Sequence, residues 1–178
     1  MLRLFTAVPI PWDVARTLKS RQTSLPGARW RPEDALHVTL AFYGEMTERQ
    51  ADDLAGELAR IPVDPFDITM KGVGARGDAH RAHTLWAGIE PSERLTVLAG
   101  RCKAAGERAG LRMEPRVYRP HLTLAYLKTQ TNPAAIGAWV SAHNLLHSPP
   151  IRIERFGLYS STLGADGSAY ELEQTYPS

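Results

Sequence analysis

The chain has 178 residues, 43% of them apolar and 22% charged, with a formal net charge of +2; that suits one domain, or two small packed lobes, with a core that needs no staple. A single cysteine, Cys102, excludes an internal disulfide and any cysteine-based metal site, and it suits a reducing, cytoplasmic setting. No apolar run approaches the roughly 18 residues of a membrane span, and the opening stretch, interrupted by Pro9 and Pro11, is too short for a signal peptide.

Residues 2–8 read as a first strand, and Pro11-Trp12-Asp13 opens a helix with Val14, Ala15 and Leu18 on one face. Pro26-Gly27 ends that segment. A short extended piece at Arg29-Trp30 leads into a strong strand over 36–44, closed by Gly44. Thr47-Glu48-Arg49-Gln50 has the form of a capping box ahead of a helix with Ala51, Leu54, Ala55 and Leu58 inward, stopped by Pro62. Residues 66–70 alternate as a strand, and 84–89 form its hairpin partner across a glycine-rich loop over 72–80. Ser92 caps a helix with Leu95, Leu98, Ala99, Cys102, Ala105 and Ala109 inward, and Gly110 closes it. A strand over 121–127, a helix started by Asn132-Pro133, and strands over 151–160 and 170–175 complete an α+β pattern.

Two of these strands echo each other. His37-Val-Thr-Leu-Ala-Phe and His121-Leu-Thr-Leu-Ala-Tyr agree at His, Thr, Leu and Ala and carry an aromatic sixth residue, and they lie about half a chain apart. A duplicated lobe with pseudo-twofold symmetry explains the echo, and the spacing is far beyond that of repeat arrays. Strand residues i and i+2 share a face, so His37 projects with Thr39 and His121 with Thr123. One His-x-Thr is usually structural. Two are harder to explain as packing, because buried polar groups cost free energy unless satisfied.

Brought side by side, two imidazoles and two hydroxyls meet the needs of phosphodiester cleavage. With an unperturbed pKa near 6.5, one imidazole can be present as base and another as acid at neutral pH. Threonine hydroxyls can donate to the non-bridging phosphoryl oxygens. No carboxylate cluster accompanies the pair to hold two metals. The mild net charge points to an RNA end rather than a long duplex.

These residues resemble the 2H phosphoesterase superfamily, whose hallmark is a pair of His-x-(Thr/Ser)-x motifs. The likeness is greatest to bacterial and archaeal RNA 2',3'-cyclic phosphodiesterases, also called 2'-5' RNA ligases. It extends to Arg3-Leu4-Phe5, Arg29-Trp30, Leu85-Trp86-Ala87-Gly88-Ile89, Arg119-Pro120 and Phe156-Gly157-Leu158-Tyr159-Ser160-Ser161.

The resemblance implies a single bilobal domain over 1–178, built of two intertwined lobes of antiparallel sheet with flanking helices around a central cleft. It implies no metal, no cofactor and a monomer acting on RNA with a 2',3'-cyclic phosphate end. By the same carry-over, His37 protonates the departing 3'-oxygen, His121 activates water, and Thr39 and Thr123 hold the phosphate. Joining of such an end to a 5'-hydroxyl is a related outcome. Phosphodiesterase action on 2',5'-linked or small cyclic nucleotides and non-catalytic binding of RNA ends are the alternatives.

Many members of the family carry Arg directly after the second His-x-Thr-x-Ala, and here that place is Tyr126. Lys128, on the same strand face, and Arg119, before the motif, are candidates to supply the charge; otherwise Tyr126 stacks on a base. Phe5, Phe42 and Tyr43 offer a stacking surface, although packing is the expected role of Phe5 and Phe42. The stretch from Arg76 to His83 is by default a solvated tip, with RNA phosphate contacts, or metal capture by His80 and His83, as functional alternatives. His143 and His147 are expected on the surface of a proline-flanked connection, and Cys102 in the core.

Overall fold

The protein was analysed as a computed structural model that describes every residue except Ala79, His80 and Asp166. Its elements are β1 (Leu2–Pro9), α1 (Trp12–Lys19), β2 (Ala28–Trp30), a 3-10 turn (Glu33–Ala35), β3 (His37–Met46), α2 (Glu48–Leu58), β4 (Phe66–Ile68), β5 (Met70–Gly77) and β6 (Ala82–Ile89). They continue with α3 (Glu93–Arg108), β7 (His121–Leu127), α4 (Pro133–His143), β8 (Ile151–Ile153), β9 (Phe156–Gly164) and β10 (Gly167–Tyr176). The α+β class read from the sequence holds. Among the described residues, no helix is long and apolar enough to cross a membrane.

The expected start signals operate. Thr47 and Gln50 close a reciprocal capping box on α2. The Ser92 hydroxyl accepts from the Leu95 amide at the head of α3, and the Asn132 side chain accepts from the Ala134 amide with Pro133 in the first turn of α4. Leu54, Leu58, Leu95, Leu98, Cys102, Ile136 and Trp139 then join Leu40, Val38, Leu122 and Leu124 of the strands in one core cluster. Each buried leucine there contributes roughly 1.5–3 kcal/mol.

The main sheet runs β10-β9-β1-β3-β7-β6-β5, with β2 alongside β7, and β4 pairs β8 in a separate ladder. The order exposes an exchange. β5 follows β4 in the chain but pairs β6, while β9 follows β8 yet pairs β1. Each half of the sheet therefore includes a strand that the chain reaches from the other half. The halves meet at β3 and β7, where the antiparallel register is set by the single pair Val38 and Leu122.

The hairpin is placed differently from the sequence reading. The glycine-rich stretch expected as a loop is β5 itself, which pairs β6, while residues 66–68 pair with β8 instead. Glycine misleads here because its role is clearance. A Cβ on Gly74 would stand 2.3 Å from the Trp86 ring on the neighbouring strand. His143 is the last residue of α4 rather than part of a connection; its ring packs on Trp139 and accepts from Arg21 Nη1 at 3.3 Å.

Candidate active site

The register across the seam positions the two motifs. With Val38 opposite Leu122, His37 falls opposite Thr123 and Thr39 opposite His121. All four are partly accessible, whereas the intervening Val38 and Leu122 are buried. Each strand then carries a bulge at the same place. Ala7 pairs Thr39 while Thr6 pairs Ala41, which leaves Leu40 as the extra residue. Trp86 pairs Thr123 while Leu85 pairs Ala125, which leaves Leu124. The echo in sequence is an echo in backbone.

The bulge shifts the later residues by one face. Phe42 is 67% exposed, contrary to the packing expected for it, and Tyr43, expected as a substrate contact, is 6% exposed and turned into the core. The Tyr43 hydroxyl donates to the Cys102 carbonyl at 3.0 Å and lies 3.2 Å from the Thr6 hydroxyl. Strict alternation from His37 cannot anticipate that inversion. In the second copy the bulge brings Tyr126 toward the motif face, and Lys128 falls beyond the end of β7, exposed, its amide bonded to the Gly27 carbonyl.

Both imidazoles are oriented by the same device. His37 Nδ1 lies 2.8 Å from the Ala35 carbonyl and His121 Nδ1 2.9 Å from the Arg119 carbonyl, in each case two residues back. A carbonyl only accepts, so Nδ1 carries the proton and Nε2 is left for chemistry. His37 Nε2 is 3.1 Å from the Thr39 hydroxyl. The Tyr118 hydroxyl donates to the Thr39 carbonyl at 2.8 Å and fixes the strand beneath it.

The surroundings of the two rings differ. His37 packs on Phe5 and edge-on to Tyr170, both at 5.1 Å between centroids. Burial lowers its pKa from the ordinary 6.5; the Ala35 carbonyl opposes the shift, and the charges of Arg31 and His121 add to it. His121 instead borders a cavity of about 410 Å³ whose walls include Thr39, Phe42, Arg76, Lys103 and Arg119.

Nothing local in the sequence marks Arg31, Tyr118 and Tyr170. They come from a loop, a loop and a distant strand, and only folding brings them to the motifs. Of the tip residues, His83 Nε2 lies 2.9 Å from Asp78, Arg81 bonds the Thr129 hydroxyl, and His80 lies outside the described residues. Among the described residues, no three His, Cys, Asp or Glu side chains are grouped to hold a metal. His147 is exposed beside Glu90. Burial pushes the Cys102 thiol up to about 12, which leaves it inert.

The profile of the 2'-5' RNA ligase superfamily matches residues 9–164. The chain belongs to that superfamily. An RNA 2',3'-cyclic phosphodiesterase of Thermotoga maritima is 29% identical, with the alignment covering 96% of this chain and 92% of that one. The Bacillus subtilis protein of the same name is 32% identical across 68% and 69%. Among solved structures, a phosphoesterase superposes with a TM-score of 0.76 at 25% identity over 98% and 97% of the two chains. Escherichia coli LigT in its apo form, 23% identical with a TM-score of 0.76 over 98% and 96%, shares the fold. The family resemblance read from the paired motifs holds.

Proposed function

We propose that this member of the 2'-5' RNA ligase superfamily opens RNA 2',3'-cyclic phosphodiester ends to 2'-phosphomonoesters by acid–base catalysis with two histidines. One observation carries the reading. His37 and His121 each turn Nδ1 to a carbonyl and so direct Nε2 away from that brace, that of His37 onto the Thr39 hydroxyl, at the register point where the sheet halves meet.

In the reaction, His121 Nε2 takes a proton from the attacking water as its oxygen bonds to phosphorus. The bond from phosphorus to the 3'-oxygen breaks, and that oxygen receives the proton from His37 Nε2. The 2'-oxygen stays on phosphorus. The Thr39 and Thr123 hydroxyls donate to the non-bridging oxygens, where charge accumulates. With a ribose 5'-hydroxyl in place of water, the same base takes its proton as its oxygen bonds to phosphorus and the same acid protonates the departing 3'-oxygen, which leaves a 2'-5' linkage. Burial favours neutral His37 in the free protein; a bound phosphate anion draws its pKa back up, so the acid is armed by its own substrate. The cavity beside His121, with Phe42 on its wall and Arg76, Lys103 and Arg119 around it, takes the attached nucleoside.

An oligoribonucleotide with a 2',3'-cyclic end tests the reading. The expected product is the 2'-phosphate, formed equally well in EDTA and by neither His37→Ala nor His121→Ala. Full turnover by both variants would sink the assignment.

A further inference from the structure

Arg31 is the unexpected residue of this site. It is only 7% exposed, and among the described residues no carboxylate lies within ion-pair distance of it. A buried cation without a counter-charge is costly. Its compensation is partial. Nη2 donates to the Ser168 carbonyl at 2.8 Å, and the guanidinium carbon stands 5.4 Å from the Tyr126 ring centre and 5.2 Å from that of Tyr170.

Backbone geometry aims it. β2 pairs β7 with Arg29 opposite Tyr126, and the Arg31 amide donates to the carbonyl of Leu124, the bulged residue that follows Thr123. Tyr170, which covers the guanidinium, also stands edge-on to His37. The cation thus lies between the strand of His121 and Thr123 on one side and the His37 imidazole on the other. Gly167, at φ +115°, lets the start of β10 close on the same spot: a Cβ there would stand 3.3 Å from Arg31 Nη1.

We propose that Arg31, presented from the end of β2, is the cation that binds the substrate phosphate, in the place of a charge at position 126 of β7. The inference rests on the cyclic phosphodiesterase reading and deepens it. Tyr126 then serves as a platform that holds the guanidinium. A planar fork fits two oxygens of a phosphate, and the unpaired charge waiting in a partly dry site is what an entering anion neutralises. This cation follows β2 and precedes the His37 motif by a few residues in the chain, so nothing in the second motif reveals it.

Inorganic phosphate and a nucleoside 2'-phosphate are the probes. Arg31→Met is expected to weaken binding of both by roughly 10- to 100-fold, the range of a hydrogen bond to a charged group, and to raise KM more than it lowers kcat. Tyr126→Arg on the Arg31→Met background is expected to recover most of that loss, which repair of packing alone would not do. Unchanged phosphate affinity in folded Arg31→Met overturns the proposal. If that variant fails to fold, the wild-type protein decides: the Arg31 Nε–H resonance must move on phosphate addition together with the His37 and His121 ring signals, and a fixed Arg31 resonance while the rings respond overturns it. Wild-type protein that binds phosphate through Arg31 but opens no cyclic end would refute the enzyme reading and leave the Arg31 assignment standing.

Discussion

The strands of His37 and His121 share motif, bulge and carbonyl brace, yet their side chains meet opposite conditions. His37 is walled in by Phe5 and Tyr170 with the Arg31 charge nearby, while His121 opens onto the basic cavity. The difference teaches that duplication repeats the backbone geometry of a motif while the flanking elements set the surroundings of each copy. Two imidazoles in identical settings would titrate together. Burial here acts on His37, whose neutral form it favours in the free protein.

Removing either ring should have the largest effect: His37→Ala and His121→Ala are each expected to cost about 10²- to 10⁴-fold in kcat, measured on a cyclic-ended oligonucleotide. A mild loss at one site would mean that the halves are not equal partners. Thr39→Val and Thr123→Val are expected to cost about 10²-fold each, the lower end for one lost transition-state donor. Similar losses would show that the hydroxyls, unlike the rings, work alike.

The asymmetry itself can be titrated. Burial disfavours imidazolium, so the His37 midpoint, followed by NMR, should fall below 6.5 in the free protein. If His37 must be protonated for the step, kcat/KM declines as pH rises through that lowered midpoint. Tyr170→Ala opens the wall and should move the midpoint upward. A His37 midpoint at or above 6.5 would erase the contrast between the halves.

Two smaller effects concern the frame. Gly74→Ala forces a methyl into the Trp86 ring and should destabilise the second half by roughly 1–3 kcal/mol, the usual cost of overpacking, visible in thermal melting. Phe42→Ala touches an exposed side chain and should leave the melting temperature in place while weakening nucleotide binding by about 1–3 kcal/mol if a base stacks there. Unchanged binding would remove Phe42 from the cleft.

Much of this was legible before folding. The repeated His-x-Thr pair, the caps at Thr47, Ser92 and Asn132, and the apolar faces of the helices are local signals, and local physics decides them. Three features were not. The bulges at Leu40 and Leu124 invert the roles of Phe42 and Tyr43, and a period of two has no means of registering an added residue. Gly74 reads as loop because clearance for Trp86 depends on a neighbour in space. Arg31 is silent in sequence because its partners, Tyr126 and Tyr170, are far along the chain and meet it only across the sheet.

The exchanged strands carry a consequence for biosynthesis. On a ribosome, both histidines emerge before β9 and β10, which carry Tyr159 and Tyr170 to Phe5 and Tyr170 to the His37 ring. A nascent chain that has both motifs but not these strands has an unwalled His37 and an uncovered Arg31. The wall around His37 is therefore the last part of this region to form, because the strands that close on it are made after both motifs.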